Sequence, residues 1–208
     1  MTLVCRVYEG VNRDQRLQQL GLTASIFIAA VEAGDAESRQ CTDNDPPMAR
    51  GLVRYFRTVR VLREGAAVFG WTGDNPRNLA RTVSPARDHA IVPALGDGNT
   101  GRSTTSPSTK YDKGSTIIDA VDVNEQLALF DLPSPDDDTA SMNTWVLLYH
   151  IDENEIRYEL SLPVGSQRGY ISRWRERILF APLPREAVAG FGGDDEGGPE
   201  IDILVARR

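Results

Sequence analysis

The chain predicts an α+β fold, with N-terminal helices packed on a mainly antiparallel mixed sheet, and three observations lead there. Apolar residues recur at helical spacing through the first third. From residue 66 the period shortens to that of strands. One further helical stretch then separates two groups of strands, an order that suits α+β better than alternating βαβ units. At 208 residues the chain fits one domain with long flexible loops. Residues 1–65 form its helical part. Residues 66–131 supply strands, a loop and a helix, and 143–208 a hairpin, a short helix and a terminal strand.

Taken in order, Asn12 with Gln15 three residues on predicts a capping box that opens a short helix through Leu20, stopped by Gly21. Thr23 caps a second helix. Its Ile26, Phe27, Ala29, Ala30 and Val31 cover so much of the circumference that deep burial follows. Asp43 to Pro47 breaks the chain. A third helix runs from Pro47 to Arg63, with Met48, Leu52, Tyr55, Phe56, Val59 and Leu62 at helical spacing as its apolar face.

Strands are expected at 66–71, 79–84 and 89–95, arranged as an antiparallel meander, with turn chemistry at 72–76. A Gly, Ser and Thr-rich flexible loop spans 96–115, and a helix covers 116–130. Pro133 to Asp138 marks a second flexible stretch, reaching residue 142. Segments 145–151 and 156–163 flank the acidic turn 152–155 as a hairpin. Ile171, Trp174 and Ile178 sit at helical spacing and predict a short amphipathic helix. A third flexible stretch, 190–199, precedes a final strand at 201–205.

Net charge of −7 argues against broad binding to nucleic acid or anionic membranes. A chain of this size buries roughly 70% of its unfolded surface, so no disulfide or metal staple is required. Cys5 and Cys41 have no paired spacing, which predicts reduced thiols. The N-terminus lacks the pattern of a secretion signal, and no apolar run reaches membrane-spanning length. A cytoplasmic location is the expectation.

Of 23 basic residues only two are lysines, Lys110 and Lys113, and both follow the loop Gly96-Asp97-Gly98-Asn99-Thr100-Gly101. The arginine bias fits a GC-rich bacterial genome, and against it the paired lysines suggest a compact charge useful toward phosphate. Gly96, Gly98 and Gly101 have the spacing of a dinucleotide-binding turn, in which backbone N–H groups meet a pyrophosphate. More loop follows instead of a helix, so the Rossmann reading fails. A looser anion site survives, made of Gly96, Asp97, Gly98, Gly101, Lys110 and Lys113 ahead of a helix N-terminus.

Two arginine-rich segments predict contact surfaces. Arg50, Arg54, Arg57 and Arg60 lie mostly opposite the apolar face of the third helix, where they either pair with carboxylates or grip a phosphate backbone. Tyr170, Arg173, Trp174 and Arg175 combine the residue types of protein-interaction hot spots. The spacing Leu17, Leu20 to Thr23, Phe27 matches a helix-turn-helix, but the second helix carries almost nothing to read base edges, so a core hairpin explains it better.

Catalytic sets are thin. His89 and His150 lack neighbours at metal-ligand spacing. Asp97, Glu159 and Lys110 make a constellation only if the fold converges them. The leading expectation is a cytosolic accessory protein without cofactor or metal, acting by binding a protein partner. Its rivals are an anion-binding or nucleotide-binding enzyme at the 96–113 loop and a nucleic-acid binder using the arginine helix.

Overall fold

The helical periodicity at the start of the chain folds as α1 (Gly10–Gln19), α2 (Ala24–Ser38) and α3 (Ala49–Ala67). The computed structural model describes residues 4–130 and 142–185. α1 opens at Glu9 with no side-chain cap bond, so Asn12 and Gln15 lie inside the helix rather than forming a capping box. Gly21 takes φ +69°, a conformation glycine adopts without steric cost, and turns the chain into α2 at 98° to α1. Leu17, Leu20, Leu22, Ile26, Phe27 and Val31 are all buried at this corner. The helix-turn-helix spacing therefore builds core.

α2 and α3 meet on an unexpected side. A Cβ at Gly34 would collide with Thr58 Oγ1, so the missing side chain lets α3 approach closely. The contact buries Arg54 and Thr58 alongside Val59, Leu62 and Ala66, and turns Leu52 and Phe56 outward. This corrects the predicted apolar face of the third helix. Arg54 Nη2 lies 3.7 Å from Asp35 Oδ1, and Arg39 and Arg185 also reach the Asp35 carboxylate, at 3.1 and 3.3 Å.

The strands are β2 (Thr72–Asp74), β3 (Arg81–Val83), β4 (His89–Leu95), β5 (Asn143–Ile151), β6 (Glu155–Gln167), β7 (Tyr170–Leu179) and β8 (Leu183–Pro184), with β1 (Arg6–Tyr8) ahead of α1 and α4 (Ser115–Phe130) between β4 and β5. Their order is β1-β7-β6-β5-β4-β3-β2, and β8 pairs with the start of β6. The β1–β7 and β4–β5 pairs are parallel and the others antiparallel, so the sheet is mixed and mainly antiparallel. An antiparallel meander runs from β2 to β4, its first strand at 72–74 where a turn is expected and not at 66–71, and it ends there because α4 crosses over to make β5 parallel to β4.

Two local expectations are corrected. Residues 66–71 are not a strand: α3 continues to Ala67, whose neighbour Ala66 is buried, and Gly70 at φ +82° then leads into β2. Residues 171–178 are strand, not helix. The β6–β7 ladder shifts register between Leu162 and Ser166, so Ile171 and Trp174 reach the same core three residues apart and imitate a helical period. Arg168 and Gly169, at φ +53° and +84°, form the tight turn joining these strands.

The sheet is packed on both faces. α1, α2 and α3 cover one through Leu17, Phe27, Val31 and Leu62 against Ile91, Trp145, Tyr158 and Ile178. Phe180 stacks on Tyr158 at 4.9 Å and touches Phe27 at 5.3 Å. α4 covers part of the other through Ile117 and Val121 against Val92, Val146, Leu148 and Trp174. Buried Asn124 pins it, bonding Thr144 and the carbonyl of Pro163 at 2.8–2.9 Å. Among the described residues no single helix is long and apolar enough to cross a membrane. The stretches 133–142, apart from Met142, and 190–199, with the expected strand 201–205, lie outside the described residues.

Candidate functional site

The remainder of the α4-side face is polar, and the glycine-rich segment roofs it. Pairing of Arg157 with His150, Glu159 with Leu148, and Ser161 with Val146 and Arg177 places these side chains on one face. Glu159 is fully buried and accepts both arms of Arg177, at 2.9 and 2.5 Å. Ser161 donates to the same carboxylate at 2.7 Å, and the Gly101 N–H at 2.8 Å. A bidentate pair whose remaining lone pairs are also satisfied is the arrangement that makes a buried charge tolerable.

From this pair the arginines reach up to hold the segment above. Arg177 donates to the carbonyls of Thr105 and Arg102 at 2.6 and 3.0 Å, and Arg157 to those of Thr100 and Gly98 at 3.1 and 3.2 Å. Farther along, the Trp174 indole N–H donates to Pro107 O at 2.8 Å, Thr109 N–H to Ile171 O at 3.0 Å, and Lys110 N–H to Leu95 O at 2.9 Å. Residues 96–113, most of the expected flexible loop 96–115, are thus a strap tied to the end of β4 and the start of β7. The curl that brings these strands near one another is what the register shifts in β6 and β7 permit.

This geometry reassigns the glycines. Gly101 takes φ +72° and lies close over Arg157, while Gly96 leaves room for Thr100. They serve a tight turn and a close approach, but the anion that Gly101 approaches is the chain's own Glu159, and Gly96 donates to Tyr149 O. The N–H groups of Gly96, Asp97, Asn99, Thr100 and Gly101 all donate within the protein. Asp97 accepts from Asn99, Gly98 is exposed, and the two lysines part ways. Lys110 is exposed, its Nζ 5.5 Å from the Tyr111 ring, whereas Lys113 is buried with its N–H on Gly169 O. Glu159 pairs with Arg177 instead of joining Asp97 and Lys110.

The arginine stripe of α3 is drawn only partly into the protein, with Arg60 left exposed. Arg54 is 1% exposed, Arg50 donates to Cys41 O at 3.3 Å, Arg57 lies 3.5 Å from Glu37, and Arg60 pairs with Glu64 at 2.9 Å. On β7, Trp174 is core, Arg175 is half-buried, and Tyr170 and Arg173 stay exposed, with Arg173 bonded to Glu125 at 2.8 Å. Sequence reasoning missed the outward line of α3. Leu52, Phe56 and Val68 are 41%, 62% and 83% exposed, and Arg60 and Glu64 fill the two intervening four-residue steps. Leu52 and Phe56 fit the spacing of a core-facing stripe equally well, so the sequence offered no separate signal for this line. Arg157 and Ser161 were also missed, since only the strand register reveals them.

Among the described residues no three His, Cys, Asp or Glu side chains are grouped to hold a metal. No protein-family model, curated protein or solved structure matches the chain.

Both histidines are held below their ordinary value of 6.5, chiefly by burial. Around His89, Arg16 adds to the depression and Asp88 and Glu176 oppose it. Around His150, Arg157 and Lys110 add to it, and the Gly96 carbonyl and Asp152 oppose it. Each is neutral in the fold and protonates more readily when unfolded. The stability it contributes is present above 6.5 and lost as pH falls through the depressed folded value. The urea midpoint is therefore expected to drop as pH is lowered from 7 toward 5, and a His89→Gln/His150→Gln variant to show a flatter profile. An unchanged slope would contradict neutral burial.

Proposed function

We propose that this protein is a partner-binding module that presents the outward face of α3 from a rigid α+β scaffold. The observation that supports this reading is the exposure of Phe56 and of Val68, the C-cap, on a helix whose opposite side is packed on α2. Leu52 and Phe56 lie one turn apart, and exposed Arg60 and Glu64 separate them from Val68, so apolar and charged side chains alternate along this face. Exposed Tyr170 at the tip of the β6–β7 hairpin offers a smaller second contact.

The rival readings draw less support. An anion site in the 96–113 segment would need backbone donors that already have internal acceptors. Nucleic-acid binding would need the α3 arginines, of which Arg54, Arg50 and Arg57 are engaged with Asp35, Cys41 and Glu37, leaving Arg60 alone on the surface in its exposed pair with Glu64.

A photo-crosslinking side chain placed at Phe56 or Val68 is expected to yield a discrete covalent complex in cells. The same group at Arg168, exposed in the β6–β7 turn, should yield none. Equal behaviour at the three positions would refute the α3 face as the contact.

A further inference from the structure

We propose that the occupant of the α3 face is a second copy of this chain, docked antiparallel about a two-fold axis midway between Arg60 and Glu64. The inference rests on the reading of that face as a partner surface. The line Leu52, Phe56, Arg60, Glu64, Val68 runs at a constant spacing of four, and all five side chains are exposed. A two-fold contact must be self-complementary, with each residue meeting its counterpart reflected through the axis. About this centre, Arg60 faces the partner's Glu64, Glu64 faces the partner's Arg60, and Phe56 faces the partner's Val68. Opposite charges meet twice and apolar residues meet twice.

The chain itself gives the charge pair little reason to exist. Arg60 and Glu64 bond each other at 2.9 Å, but both are about two-thirds exposed. Exposed pairs at this spacing contribute at most about 0.5 kcal/mol, and a basic residue placed N-terminal to an acidic one is the weaker order. Against the second copy each charge gains another opposite neighbour, now beside the desolvated Phe56 and Val68. The rows at four-residue spacing on both helices would interlock, which sets a crossing near −50° and confines the contact to about the 18 Å from Phe56 to Val68.

The axis makes a charge-exchange experiment decisive. Sedimentation of the wild type at high micromolar concentration should show dimer. R60E places glutamate opposite the partner's Glu64, and E64R places arginine opposite the partner's Arg60. Each alone should weaken the dimer at least about tenfold through two like-charge contacts. The R60E/E64R double variant should recover dimer, and so should an equimolar mixture of the two single variants, since every cross-axis pair is then opposite. Both substitutions are on exposed side chains, so all four proteins should keep the same circular dichroism spectrum. A wild type that stays monomeric overturns the second copy as occupant. A crosslink at Phe56 of a mass other than twice the chain's would do the same while upholding the face. Dimer that persists in both single variants overturns this axis.

Discussion

Glu159→Gln is expected to remove about 3–5 kcal/mol of stability, because it leaves Arg177 buried with its charge uncompensated. Domains of this kind have about 5–15 kcal/mol in all, so the urea midpoint should fall by a large fraction. The loss should reach beyond the pair. Glu159 also accepts from Gly101 N–H and Ser161, and Arg177 holds the carbonyls of Thr105 and Arg102. Amide exchange at 98–106 should rise in step. The double variant Glu159→Leu/Arg177→Met separates the two effects. Apolar replacement of a whole buried pair is often neutral, so global stability should return. Exchange in the strap should stay fast, because no guanidinium then holds those carbonyls. Recovery of both would mean that the strap is retained by Arg157 and by its ties at Pro107, Thr109 and Lys110.

The strap also shows how far the chain can be read before folding. The glycines of 96–101 were legible in kind, since a tight turn and a close approach are what Gly101 and Gly96 supply. What they approach was not, because Glu159 and Arg177 are 18 residues apart on strands whose register slips between Leu162 and Ser166. Where a segment's burial is decided locally, the reading held. The apolar run His89–Leu95 is β4, and residues 116–130 fall within α4. Where burial depends on a partner, it failed. No spacing on α3 announces that Gly34, on another helix, admits Arg54 and Thr58 and turns Phe56 to solvent. The bulged ladder likewise gave Ile171 and Trp174 a helical period within a strand.

Trp174→Ala and Phe56→Ala are expected to give opposite results, each the reverse of the sequence reading, which put Trp174 at a contact surface and Phe56 on the apolar face of its helix. Trp174 packs with Val92, Val146, Leu148 and Ile171 and is 4% exposed, so its truncation should cost about 3–5 kcal/mol. Phe56 is 62% exposed on the outer side of α3, and its truncation should change stability of the isolated chain by no more than about 0.5 kcal/mol. Trp174→Phe isolates one part of the first effect. It keeps most of the apolar area but removes the N–H bonded to Pro107 O, leaving a buried carbonyl without its donor at a cost of about 1–3 kcal/mol. Urea denaturation of the three variants would measure these values, and sedimentation of the same samples would report association. Loss of dimer in Phe56→Ala with unchanged stability, beside the reverse in Trp174→Ala, would divide the two aromatics by role. A near-neutral Trp174→Ala would instead mean that β7 and the strap open readily, returning the Tyr170 to Arg175 segment to the surface where its composition first placed it.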